Sequence, residues 1–155
     1  MNLTSIIEHA SPKERYQADA CIIWCLDNRF HGLLNKFIKL RGYKNCDLVN
    51  VTGGAKDLVG NEKRRKNYLF SQIERSISFH GTKKVILMIH SDCAAYEQEI
   101  KKTSTEKLFL ISEIVRAKER VLGFLNMNKH SFNGHLVEVE ILIADFSGLY
   151  QVTSD

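Results

Sequence analysis

The sequence predicts an α/β protein, a mostly parallel central sheet of four strands flanked by helices, with a short antiparallel edge strand closing one side. Three observations carry that reading. Apolar runs of strand length recur at 18–26, 47–51, 84–89 and 136–143. Helical periodicity fills the stretches between them, and each such stretch is long enough for the crossover that two parallel strands require. The 155 residues, 44% hydrophobic and 26% charged, suit one domain over 1–155 with its own core, residues 1–17 forming an amino-terminal arm.

Within the arm, Ser11-Pro12-Lys13-Glu14 is a candidate helix start, because proline fits the first helical position. The run from Ala18 to Leu26 then reads as a strand that breaks at Asp27-Asn28-Arg29. Leu33, Leu34, Phe37 and Ile38 repeat at helical spacing up to Gly42, a C-terminal cap. Asp47 to Val51 is the next strand, and Gly53-Gly54-Ala55-Lys56 reads as a tight turn. Its glycine spacing falls short of a phosphate-binding loop.

Asn61 is placed to cap a helix with the stripe Leu69, Ile73 and Ile77, which ends at His80-Gly81. Lys84 to Ile89 is a strand, and Ala94 to Glu97 continue helically, placing Cys93 near a helix start where thiolate is favoured. A long amphipathic helix is expected from Thr105 to Asn126, with Leu108, Ile111, Val115, Leu122 and Leu125 on one side. Val137, Val139, Ile141 and Ile143 alternate with Glu138 and Glu140, the pattern of a strand with one partly wet face. After the turn Asp145-Phe146-Ser147-Gly148, residues 149–152 fold back as the antiparallel edge.

Two strands end in chemistry. Cys25, Asp27 and Arg29 follow the first apolar run, and His90 and Cys93 follow the third. In open parallel sheets, ligands bind at the carboxyl ends of strands. Two thiols and an imidazole converging there form a Cys₂His set, which leaves a fourth tetrahedral position on zinc open. Cys25, His90 and Cys93 are therefore the candidate ligands of one zinc ion per chain. Cys21 lies about 13 Å from Cys25 if both are on one strand, too far to share the ion. It and Cys46 read as small core residues.

Asp27 is expected on the same side as Cys25, and Arg29 is placed to pair with it. That pairing keeps the carboxylate off the metal and oriented as an acceptor. Removing Arg29 should free Asp27 to take the fourth position. Two thiolates and a neutral imidazole bring Zn²⁺ near zero net charge, so its water should ionise less readily than at a three-histidine site, favouring mildly alkaline pH.

Cys25-x-Asp27-x-Arg29 followed by His90-x-x-Cys93 resembles the β-class carbonic anhydrases, over roughly residues 18–151. The resemblance implies reversible hydration of carbon dioxide to bicarbonate and a proton by zinc-bound hydroxide. Cys25, His90 and Cys93 would be the ligands, with Asp27 and Arg29 as the gating and orienting pair. It also implies a homodimer or higher homo-oligomer. The chain departs from the family pattern at Val51-Thr52-Gly53-Gly54, where Arg-Asn-Ala-Gly is usual, at Ala94 in place of glycine, and at Asn28 in place of serine. A carbonyl sulfide or carbon disulfide hydrolase on the same site, and a non-catalytic zinc-binding module, are the competing readings.

Composition narrows the partners. A formal charge of +4 is small and scattered, and the basic run Lys63-Arg64-Arg65-Lys66 reads as a solvated helix start, so no nucleic-acid partner is expected. No window is long and apolar enough to span a bilayer, and the first residues lack a signal-peptide pattern, so no membrane partner and a cytoplasmic location are expected. His31 is a candidate proton relay but more naturally an exposed helix-start residue. Asp92, between His90 and Cys93, reads first as a structural residue bonding a backbone donor and second as a residue supporting the metal ligands from outside. His9, His80, His130 and His135 read as surface or cap residues.

Overall fold

The computed structural model describes residues 3–103, 105–130, 132 and 136–153. Five strands form one sheet in the order β2-β1-β3-β4-β5. They are β1 (Ala20–Cys25), β2 (Cys46–Val51), β3 (Lys84–His90), β4 (Glu138–Asp145) and β5 (Gly148–Gln151). β1 pairs in parallel with β2 and β3, and β3 with β4, while β5 runs antiparallel to β4.

Every residue of β1 is buried, as are the last six of β3. A parallel strand covered on both faces needs such continuous apolar runs. From β1 the chain passes to β2 on one side, then returns past β1 to β3 on the other. This reversal opens a crevice at the carboxyl ends of β1 and β3, the place where such sheets bind ligands.

The helices are α1 (His31–Leu40), the single turn α2 (Lys56–Val59), α3 (Lys63–His80), the single turn α4 (Glu97–Ile100) and α5 (Glu106–Met127). The right-handed rule for such crossovers, applied to this strand order, puts α1 on one face of the sheet and α3 and α5 on the other, and Phe70 of α3 stacks on Phe124 of α5. Leu34 and Phe37 bury one stripe of α1, and Leu69, Ile73 and Ile77 bury that of α3. Glu62, not Asn61, caps α3, its side chain accepting from the Arg64 N–H, and Gly81 closes the helix with φ of 63°. Lys63, Arg64 and Arg65 are exposed on its first turn.

Several expectations are corrected. The helix start at Ser11-Pro12 does not form: residues 3–17 hold no helix or strand and are exposed, since a short helix with no apolar stripe has nothing to dock it. The buried stripe of α5 is Leu110, Ile114, Ala117, Val121 and Leu125, whereas Leu108, Val115 and Leu122 are exposed. That helix carries apolar residues on more than one side, and periodicity alone does not say which side meets the sheet. Glu140 is buried rather than wet, because the Arg41 guanidinium reaches it from the end of α1. Cys21 is fully buried as expected, but Cys46, at the start of an edge strand, is half-buried.

Candidate metal centre

β1 delivers Cys25 and β3 delivers His90 into the crevice; Cys93 follows one short turn later. The donor atoms of Cys25, His90 and Cys93 all lie within 4.8 Å of one another, and all three side chains are buried. Tetrahedral zinc with bonds of about 2.0–2.3 Å holds its donors roughly 3.4–3.8 Å apart, so the group needs only slight contraction to close on an ion. His90 Nδ1–H donates to the Ser91 carbonyl at 2.7 Å. That bond sets the tautomer and presents Nε2 to the sulfurs, the usual support of a metal-binding imidazole.

Nε2 of His90 is buried and meets no hydrogen-bond geometry with any neighbour. A buried polar atom without a partner is costly. A metal ion with soft-donor preference satisfies it, and the residues fit zinc.

Proton affinities reflect the crowding. The Cys93 S–H beside it, then His90 and the backbone N–H groups of Asp27 and Gly53, outweigh burial and pull the Cys25 thiol down. Cys93 is pushed up, first by the Cys25 thiolate it bonds and then by burial. Burial pulls His90 down, but the Cys25 thiolate and the Ser91 carbonyl outweigh it, so the imidazole holds its proton more tightly than usual. Cys21, pushed up to about 12 by burial, is an ordinary core thiol.

Asp27 reaches the centre by a different route from the one expected. β1 ends at Cys25, and Asp27 caps a 3₁₀ turn over Asn28–Phe30, accepting from the Arg29 N–H at 3.0 Å. Its Oδ2 still lies 3.9 Å from His90 Nε2. Arg29 holds it from the side, with Nε 3.0 Å from Oδ1 and Nη2 2.6 Å from Oδ2. The Arg29 side chain, and then its backbone N–H, keep the Asp27 carboxyl down at about 2 despite some desolvation.

Two glycines bring a loop against this centre. Gly53 and Gly54 follow β2 with φ of 74° and 59°. A Cβ on Gly54 would sit 2.1 Å from the Met88 carbonyl oxygen, so only glycine lets the loop lie on β3 there. The Ala55 N–H then donates to that same carbonyl at 3.1 Å. Lys56 extends over the Tyr96 ring and bonds the Ala95 carbonyl and Glu99, the latter at 2.6 Å, tying the loop to the segment after Cys93.

Aromatic rings form one wall. Phe30 is buried with its ring centroid 4.5 Å from that of His90. Phe146, from the β4–β5 turn, lies 5.6 Å from Phe30 and presents its ring to the Arg29 guanidinium at 5.4 Å. Neither ring was marked by the sequence; an aromatic in a turn is the only signal Phe146 offers.

The remaining candidates fall elsewhere. Asp92, between His90 and Cys93, bonds Arg29 through Oδ2 at 2.8 Å. His31 is half-buried on the first turn of α1. His80 is no plain surface residue: with Tyr16 and Ser76 it bonds the Asp47 carboxylate at the opposite end of the sheet. His9 and His130 are exposed, and His135 lies outside the described residues.

A switch-point crevice in a parallel sheet, filled with two cysteines and a histidine, defines an α/β protein with a soft-donor metal pocket. A family described as "Putative carbonic anhydrase" matches residues 16–128, and the chain belongs to that family. Solved β-carbonic anhydrases share the fold. The isoform I enzyme of Trichomonas vaginalis is 12% identical over 95% of this chain and 88% of its own, with a TM-score of 0.57. Two tetrameric β-carbonic anhydrases of Sordaria macrospora are represented at 13% identity, 90% and 82% coverage and a TM-score of 0.51. A carbon disulfide hydrolase in its apo form matches at 13% identity, 90% and 82% coverage and 0.50. No curated protein matches the sequence. Among the described residues no helix is long and apolar enough to cross a membrane.

Proposed function

We propose that this chain is a zinc-dependent carbonic anhydrase, catalysing the reversible hydration of carbon dioxide to bicarbonate and a proton. The observation that carries the reading is the convergence of Cys25, His90 and Cys93 around an unpartnered imidazole nitrogen, with Asp27 held beside them by Arg29. Zinc held by such a set would supply Lewis acidity, making a nucleophile of water at mildly alkaline pH.

The protein's own groups do the rest. Cys25 and Cys93 bring negative charge, and His90 is oriented through the Ser91 carbonyl. Asp27 Oδ2, facing the donor cluster, accepts a hydrogen bond from the reacting water and aims its lone pair at the carbon. Arg29 keeps that carboxylate ionised and off the metal. The buried Phe30 ring gives an uncharged, apolar substrate a surface to settle against, with the more exposed Phe146 at its edge, while bicarbonate, being charged, gains nothing there and leaves.

The protein functions as a homodimer or larger assembly in the cytoplasm. Support for assembly comes from the tetrameric Sordaria relatives and from β2, a sheet edge on which Leu48 is 47% exposed. Support for the compartment comes from four free cysteines, which suit reducing surroundings.

The test joins metal analysis to stopped-flow hydration of carbon dioxide followed with a pH indicator. One zinc per chain and hydration above the buffer rate, both lost in Cys25→Ala, are expected. A zinc-loaded protein that leaves hydration at the buffer rate refutes the proposal. Sulfide release from carbonyl sulfide outrunning hydration would select the hydrolase instead.

A further inference from the structure

We propose that Asp92 is a positioning residue whose loop grips the far edge of the Arg29 guanidinium and thereby keeps Asp27 out of the fourth metal position. The inference rests on the zinc reading above and adds to it a second anchor for the gate.

Asp92 is the one non-glycine among the described residues with a positive φ, 53°. Aspartate is among the few side chains that visit this conformation, and such outliers persist only where the surroundings over-determine them. Here every polar group of the residue is committed. Its N–H donates to Glu106 Oε1 at 2.7 Å, on the first turn of α5. Its carbonyl accepts from Arg29 Nη2 at 3.1 Å, and its Oδ2 from Nη1 at 2.8 Å.

The guanidinium is planar and donates in a rigid fork. Its Nε–Nη2 edge faces Asp27 and its Nη1–Nη2 edge faces Asp92. A single carboxylate leaves Arg29 free to swing with its partner; grips on two edges fix the plane. The Asp92 side chain is 68% exposed, so the ion pair by itself adds little to stability. Its consequence is geometric. Arg29 bridges the loop after Cys25 to the loop between His90 and Cys93, and a loosened Arg29 releases a carboxylate that already stands 3.9 Å from His90 Nε2.

The test is azide binding to the cobalt-substituted protein, read from the visible bands of the metal, because azide and Asp27 compete for one position. Asp92→Gly keeps the backbone conformation and the carbonyl that accepts from Nη2, and removes the Oδ2 bond to Nη1. It is expected to weaken azide about two- to fivefold, the worth of one exposed ion pair. Asp92→Asn, which tolerates the same φ and still accepts from Nη1, should recover most of the loss. Asp27→Ala in the Asp92→Gly background should restore azide affinity, since the competitor is gone.

Unchanged azide affinity in fully cobalt-loaded Asp92→Gly overturns the inference, as does a loss that Asp27→Ala leaves in place. A parent protein that takes up no cobalt overturns the zinc reading and this inference with it.

Discussion

Gly54→Ala should unfold this protein well before any surface change of the same size. At φ of 59° an alanine costs about 1–2 kcal/mol in backbone conformation alone. Its Cβ would lie 2.1 Å from the Met88 carbonyl oxygen and 3.4 Å from the Cys25 nitrogen. Since both belong to buried strands, the loop must move instead, with an overpacking cost of about 1–3 kcal/mol. Moving it lengthens the 3.1 Å bond from Ala55 N–H to the same carbonyl, worth about 1 kcal/mol. The sum is roughly 3–6 kcal/mol, and at about 2–4 °C per kcal/mol for a domain of this size the melting temperature should fall by about 6–24 °C. Calorimetry of the metal-free and zinc-loaded proteins measures it. The zinc-loaded form should lose additional stability, because the Gly53 N–H that supports the Cys25 sulfur moves with the loop. Gly123→Ala is the control: nothing lies within 4 Å of its added Cβ, and in a helix the change should stabilise by about 0.5–1 kcal/mol. A Gly54→Ala protein melting within about 2 °C of the parent would refute the packing argument.

Other outcomes follow from the same geometry. Ala at Cys25, His90 or Cys93 should abolish zinc retention through dialysis, while Cys21→Ala and Cys46→Ala should keep one zinc per chain by elemental analysis. Zinc uptake at pH 7 should release the Cys93 proton and, because the His90 pKa is raised, a growing share of a second proton as pH falls towards 6; calorimetry in buffers of different ionisation enthalpy counts them, and release that does not rise on acidification would contradict the assignment. Asp27, at about 2 when folded against about 4 unfolded, contributes stability that is complete above pH 4 and lost as pH falls towards 2, so Arg29→Ala should flatten the acid limb of a stability profile in that window. Asp47→Ala removes the acceptor of the Tyr16 hydroxyl, and trypsin cleavage after Lys13 and Arg15 should accelerate.

The convergence of Cys25, His90 and Cys93 was legible because they stand at the ends of two unmistakable strands. An apolar run of strand length such as Cys21-Ile22-Ile23-Trp24 declares its own direction, and the first polar residues past it must lie at the carboxyl edge. The pairing of Arg29 with Asp27 was legible too, although by cap geometry and not by strand alternation. Asp92 was marked by its place between His90 and Cys93, but its pairing with Arg29 was not, and Phe146 carried no mark beyond being an aromatic in a turn, since each acts on Arg29 from a segment distant in the chain.

The same division separates the faces of the fold. For α3 the buried stripe Leu69, Ile73 and Ile77 follows the helical period, so its orientation was readable even though Tyr68 and Phe79 lie exposed on the same helix. For α5, with Leu108, Leu110, Ile111, Ile114 and Val115 crowded together, the buried side depended on how the helix met β3 and β4. Glu140 reads as a wet residue until Arg41 arrives from the end of α1.

What the sequence by itself determined was local: strand and helix periods, the turn glycines, and which donors end which strands, because each depends on neighbours a few bonds away. What only the tertiary structure decided was which side of a helix is buried, which cation meets which carboxylate, and that three donors share one centre. Those depend on distances between segments far apart in the chain, set by the sheet order β2-β1-β3-β4-β5 that brings the ends of β1 and β3 together.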